Sequence, residues 1–258
     1  MHYEIHGRGE DALTVVLSSG LGGAAQYWAP QIPALAERFR VIAYDQRGTG
    51  RSPSELPAGY SVADMAAELA ALLDSLAVER CHFIGHALGG LIGLQLALDR
   101  PALLDRLVVV NAWAKTHPHT LRCFSIRKCL LVDTGPEAYV RAQPLFLYPA
   151  AWLADRQAWL AEQDAGGIAH FPPVETVLRR IAAVEGFDLD PAGVAVPTLV
   201  VAARDDVLVP CGCSLALAEA LPVAELVLLE TGGHACNVVD PVRFDGLMMR
   251  FLLGLDRV

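Results

Sequence analysis

The sequence predicts an α/β fold, with a mostly parallel central sheet, helices on both faces and a helical cap insertion. Three observations carry this. Short apolar runs such as Thr14-Val15-Val16-Leu17 and Leu107-Val108-Val109-Val110 lack alternation, as expected of strands buried on both faces. Stretches of helical periodicity separate these runs. From Ala112 to Gly193 the strand rhythm stops, and it resumes afterwards.

Taken in order, residues 2–6 alternate as an edge strand does. The strand at Thr14 runs into Ser18-Ser19-Gly20-Leu21-Gly22-Gly23. This loop lacks the Lys-Ser/Thr of a phosphate-binding P-loop. It suits an oxyanion loop, in which glycines let a backbone N–H face a developing negative charge. A helix is expected from Trp28 to Arg38, then a strand from Phe39 to Tyr44. In the polar turn that follows, Asp45 and Arg47 are best explained as loop braces. Ser61 and Asp64 have capping-box spacing, and Met65, Leu69, Leu72, Leu73 and Leu76 recur on one helical face.

Cys81-His82-Phe83-Ile84 is the next strand, and Gly85-His86-Ala87-Leu88-Gly89 follows it. That Gly-x-x-x-Gly frame, between a strand and a helix, is the frame of a nucleophile elbow. Its centre normally holds Ser, Cys or Asp, but here it holds Ala87. Another helix ends near Pro101, and the strand at Leu107 ends at Asn111. The insertion contains His117, His119, Arg122 and His170, each best read as surface or helix packing. The sheet resumes at Pro197–Ala203, followed by Asp205-Asp206, and again at Leu226–Leu229, followed by Gly233-His234. The last helix starts at Asp240-Pro241, with a core stripe of Phe244, Leu247, Met248, Phe251, Leu252 and Leu255.

Composition narrows the function. A chain of 258 residues with 53% hydrophobic residues and no long uncharged apolar run is globular and does not span a membrane. The N-terminus lacks the order of a secretory signal, so the cytoplasm is expected. A net charge of −9 argues against a nucleic-acid partner but allows a small anionic substrate. Cys81, Cys123, Cys129, Cys211, Cys213 and Cys236 are scattered as free thiols are. The spacing of Cys211, Cys213, His234 and Cys236 suits a zinc site poorly, and no metal or cofactor is expected. The expected partner is a small-molecule substrate, and a homodimer is left open.

An elbow, then an acid, then a histidine, each past a strand, is the chain order of the α/β-hydrolase fold. Asp206 is the preferred acid, because it lies four residues before Pro210. The chain resembles that superfamily along its whole length, and Asp45-Gln46-Arg47-Gly48-Thr49-Gly50 is similar to its turn after strand four. More narrowly, it resembles the pyrimidine-utilisation protein D (RutD) family. The stretches that carry this are Ser19–Gly23, Tyr44–Gly50, Gly85–Gly89, Gln143–Ala150 and Gly233–Asn237. The resemblance implies a core of residues 1–111 and 194–258, with a cap of residues 112–193 inserted after the sixth strand. It also implies a hydrolase of uracil breakdown acting on carbamate or aminoacrylate, with alanine native to the elbow.

Without a nucleophile at Ala87 the covalent acyl-enzyme route is closed. The amides of Leu21 and Leu88 still make an oxyanion pocket, with His86 and Asn111 as further substrate-binding candidates. Asp206 still orients His234 for acid–base work. Cys236 is a weak nucleophile candidate. Two other readings stay open. One is a ligand-binding module without chemistry. The other is a serine esterase inactivated at position 87, for which restored ester cleavage in Ala87→Ser would be the mark.

Overall fold

The computed structural model describes residues 1–255. Its strands are β1 (Tyr3–Gly7), β2 (Thr14–Ser18), β3 (Arg40–Tyr44), β4 (Cys81–His86), β5 (Leu104–Val110), β6 (Thr198–Ala203) and β7 (Ala224–Leu229). They form one sheet in the order β1-β3-β2-β4-β5-β6-β7. Only β1 runs antiparallel, pairing Tyr3 with Tyr44 at the edge. The parallel strands β2, β3, β4 and β6 are buried at every position. Successive residues therefore feed two cores. Val16, Ile42, Phe83 and Val109 pack on one face with Leu69 and Leu91. Val15, Val41, Ile84 and Val108 pack on the other with Leu35, Phe244 and Met248. This is why the strands read as unbroken apolar runs.

The helices before the insertion are α1 (Ile32–Ala36), α2 (Val62–Ser75) and α3 (Leu88–Asp99). The helix expected from Trp28 to Arg38 is instead a 3₁₀ turn at Ala25–Trp28 followed by the short α1. Pro30 and Pro33 lie between and inside these pieces, and proline tolerates only a first helical turn. Helix α2 starts on Ser61, whose Oγ accepts from Asp64 N while Asp64 Oδ2 accepts from Ser61 N.

Between β5 and β6 lie α4 (Pro118–Cys129), α5 (Pro136–Leu147), α6 (Ala150–Ala154), α7 (Gln157–Ala169) and α8 (Val174–Glu185). This segment was expected after a sixth strand. It follows the fifth, because the strand ending at Tyr44 is the third here and not the fourth, so one strand of the family's count is missing before Tyr44. After β6 come α9 (Cys211–Ala220), α10 (Cys236–Val239) and α11 (Pro241–Leu252). Phe244, Met248, Phe251 and Leu252 are buried as expected, but Leu255 is 59% exposed because α11 has already ended. Among the described residues no helix is long and apolar enough to cross a membrane.

One buried group in the sheet makes stability pH-dependent. His82 on β4 has no hydrogen-bond partner on either ring nitrogen and lies edge-to-face against Phe39. Burial lowers its pKa from 6.5 to about 4. Below the unfolded value the unfolded chain binds a proton that the folded chain refuses. Stability is thus complete above about pH 6.5 and is lost as pH falls toward 4. In His82→Val, urea unfolding should show the gap between pH 7 and pH 4.5 narrowed by about 2 kcal/mol. An unchanged gap would assign the acid lability to other groups.

Candidate active site

The elbow is a strained turn held by its neighbours. Ala87 has φ 47° and ψ −113°, outside the regions open to most L-residues. Ala87 N donates to Val110 O at 2.8 Å, and Leu91 N donates to Ala87 O at 3.1 Å. The turn closes only because its flanks are small. A Cβ on Gly85 would lie 2.3 Å from Gly89 O, and one on Gly89 would lie 2.1 Å from Ser18 O. Leu88 is the first residue of α3, so its N–H has no acceptor within the helix.

The loop after β2 faces this turn. Its carbonyls are tied from behind. Gln46 N donates to Gly23 O, Gly23 N to Gly20 O, and Gln46 Nε2 to Ser19 O. Leu21 O is held at 3.1 and 3.0 Å by Nε and Nη2 of Arg180, a residue of α8 that is 1% exposed. Arg180 also donates to Gln46 Oε1 and Arg47 O. Burial brings its pKa from 12.5 down to about 10. Among the described residues neither Leu21 N nor Leu88 N donates to a backbone carbonyl. Both amides border one cavity, as an anion-binding pair requires.

His234 sits on a 3₁₀ turn after β7, and its Nδ1–H donates to Asp206 Oδ2 at 2.7 Å. Both side chains are nearly solvent-free. Asp206 is fixed in turn, because its Oδ1 accepts from Leu208 N at 2.8 Å and Val209 N at 2.9 Å. Its neighbour Asp205 braces the histidine loop, accepting from Thr231 Oγ1, Gly232 N and Gly233 N. Gly233 has φ 61°, and a Cβ there would meet Leu147 O at 2.8 Å. The Gln143–Ala150 stretch therefore packs directly on this loop.

The cavity holds about 210 Å³, small for a ligand site. Gly20, Leu21, His86, Ala87, Leu88 and His234 line it from the sheet side, and Trp113, Phe124, Arg127, Gln143, Leu147 and Tyr148 line it from the inserted segment. His86 Nε2–H donates to His234 O at 2.7 Å, which leaves Nδ1 as a bare acceptor with no partner. Burial, aided by His234 nearby, lowers the His86 pKa from 6.5 to about 3.

Asn111 departs from expectation. It does not line the cavity. It turns at φ 50°, donates from Nδ2 to His234 O at 2.6 Å and accepts from Ala203 N at 3.2 Å, so it clamps the histidine loop from beneath. Cys236 is buried and its thiol is pushed up to about 12 by burial, which removes it as a nucleophile. His117, His119, Arg122 and His170 lie outside the cavity. Asp45 braces its loop as expected, accepting from Ala25 N and from Arg51 N and Nε. Arg127, Arg180 and Asp205 were not singled out from sequence. Their only signal is position beside another charged residue, which does not say which of the pair points inward.

The sheet, the elbow and the acid and histidine past β6 and β7 define an α/β hydrolase. The family model described as "alpha/beta hydrolase fold" matches residues 14–132. Among solved structures, a hydrolase from Pseudomonas aeruginosa PA01 is 31% identical with a TM-score of 0.86, covering 97% of this chain and 93% of that one. The enol-lactonase from Burkholderia xenovorans LB400 is 29% identical with a TM-score of 0.87, covering 98% and 96%. More narrowly, the chain belongs to the RutD family. It is 55% identical over 98% of its length to "Putative carbamate hydrolase RutD" of Stutzerimonas stutzeri (strain A1501), covering 96% of that relative.

Proposed function

We propose that this chain is a cytoplasmic hydrolase of pyrimidine nitrogen breakdown that cleaves a C–N bond in carbamate or aminoacrylate by non-covalent acid–base catalysis, with residues 112–193 as its cap. The observation that carries this is the His234–Asp206 bond of 2.7 Å beside a cavity whose elbow position presents only the methyl of Ala87. The carbamate hydrolase name of the RutD relative from Stutzerimonas stutzeri supports the C–N chemistry.

Nδ1–H of His234 is held by Asp206, so Nε2 is the atom that exchanges a proton with substrate. With carbamate, Leu21 N and Leu88 N hold the carboxylate and His234 protonates nitrogen. The C–N bond breaks, its electron pair stays on nitrogen, and ammonia and carbon dioxide leave. With aminoacrylate, His234 protonates carbon to give an iminium, then takes a proton from the water that adds to it. His234 passes that proton to nitrogen, the C–N bond breaks with its electron pair on nitrogen, and His234 takes up the hydroxyl proton as ammonia and an aldehyde leave. Acid–base work of this kind contributes roughly 10²–10⁴-fold.

Ammonia release from each freshly made substrate tests this, with the intact protein and with His234→Ala. Acceleration over buffer by the intact protein, with His234→Ala falling back to the buffer rate, is the expected result. Equal rates for both proteins on both substrates would overturn it and leave ligand binding.

A further inference from the structure

Two buried arginines enter the region of the cavity from the inserted segment, and they differ in how they are paired. Arg180 donates to the carbonyls of Leu21 and Arg47 and to the amide oxygen of Gln46, as a structural tie does. Arg127, in the last turn of α4, is 3% exposed and lines the cavity, yet it has a single hydrogen bond, from Nη2 to Tyr139 Oη at 2.8 Å. Its Nε has no partner. Among the described residues no carboxylate forms an ion pair with it. The rings of Phe124, Tyr139 and Phe146 surround its guanidinium at 5.3, 5.0 and 5.8 Å. Burial raises the pKa of the Tyr139 phenol, so that hydroxyl supplies no compensating charge.

Three aromatic faces and one neutral hydroxyl offset only part of the desolvation cost of a buried cation that has no counter-charge. It is explained if an anion arrives with the ligand. Two more unpartnered buried polar atoms belong to residues lining the same cavity, Ser19 Oγ and His86 Nδ1. The first can donate to an anion and the second, a bare acceptor, suits an N–H.

Resting on the C–N hydrolase reading of this cavity, we propose that Arg127 is the receptor for the substrate's carboxylate and sets its specificity. The substrate class is then a short organic acid whose reacting C–N carbon is distinct from its carboxylate carbon. The reason is that Arg127 enters from the inserted segment, whereas His234 and the Leu21 and Leu88 amides belong to the sheet side. A ligand that uses both walls places its carboxylate on one and its C–N carbon on the other. In carbamate the two functions share one carbon. In aminoacrylate they do not.

The test is calorimetric binding of propionate and of its neutral isostere propionamide, with no turnover involved. The intact protein should prefer propionate by about ten- to a hundredfold, the range of a hydrogen bond to a charged group. Arg127→Met should lose that preference while keeping or raising the melting temperature, because an unpaired buried charge has been replaced by an apolar chain. His170→Ala, outside the cavity, should keep it. If Arg127→Met does not fold, Arg127→Gln takes its place with the same expectation. No binding of propionate by the intact protein, equal binding of the two ligands, or a preference that survives loss of Arg127 each overturns the assignment. Failure of the hydrolase reading shows separately, as ammonia release indifferent to His234.

Discussion

Asp206→Asn is expected to lower turnover toward the buffer rate, by up to the roughly 10²–10⁴-fold that acid–base work contributes, while leaving the fold intact. The carboxylate has two committed oxygens. Oδ1 accepts from the backbone amides of Leu208 and Val209, and Oδ2 accepts from His234 Nδ1. An asparagine has one acceptor oxygen to serve three donors. Two fixed backbone donors outbid one rotatable ring, so the amide oxygen turns to Leu208 and Val209 and the NH₂ faces His234. Nδ1 must then accept, the ring proton moves to Nε2, and the ring no longer holds the second proton it needs to act as an acid at Nε2. The measurement is kcat for ammonia release beside a thermal unfolding curve. A variant within about tenfold of the intact protein, with an unchanged melting temperature, would show that the tautomer of His234 does not matter.

The second large effect is structural. Gly89→Ala should destabilise the protein by about 3 kcal/mol or more, at the upper end of overpacking. The added methyl would lie 2.1 Å from Ser18 O and 2.5 Å from Ser18 C. These are backbone atoms at the end of β2, where Ser18 pairs with Gly85 of β4 and Leu17 before it pairs with both Ala43 and Ile84, so neither can give way cheaply. Melting should fall by about 6–12 °C for a chain of this size. A shift under 2 °C, with about that precision, would mean that α3 can move off β2.

Part of this site is legible in sequence because its physics is local. Glycines at 85 and 89 mark a turn that tolerates no Cβ. Asp206 and His234 each follow an apolar strand, and parallel strands bring their ends together. Other parts are not legible. In Arg127-Lys128 and Arg179-Arg180, neighbours on a helix diverge by about a quarter turn. Lys128 and Arg179 pair with Glu185 and Glu175 outside, while Arg127 and Arg180 turn inward. Only the tertiary placement of α4 and α8 decides which. Asn111 ends a strand, a position that suggests the cavity, but its positive φ aims it under the histidine loop instead. The broken helix near Trp28 was readable from Pro30 and Pro33.

The bond from Arg180 to Leu21 O reaches beyond local geometry. The loop that presents the Leu21 amide is encoded near the N-terminus, yet its carbonyl is anchored by a helix more than 150 residues later. The two segments are therefore co-inherited parts. A chimera that takes residues 112–193 from a relative without an arginine at this place would leave the Leu21 carbonyl without its guanidinium donors. Grafting a foreign insertion onto this core should carry Arg180 and its three acceptors as a unit.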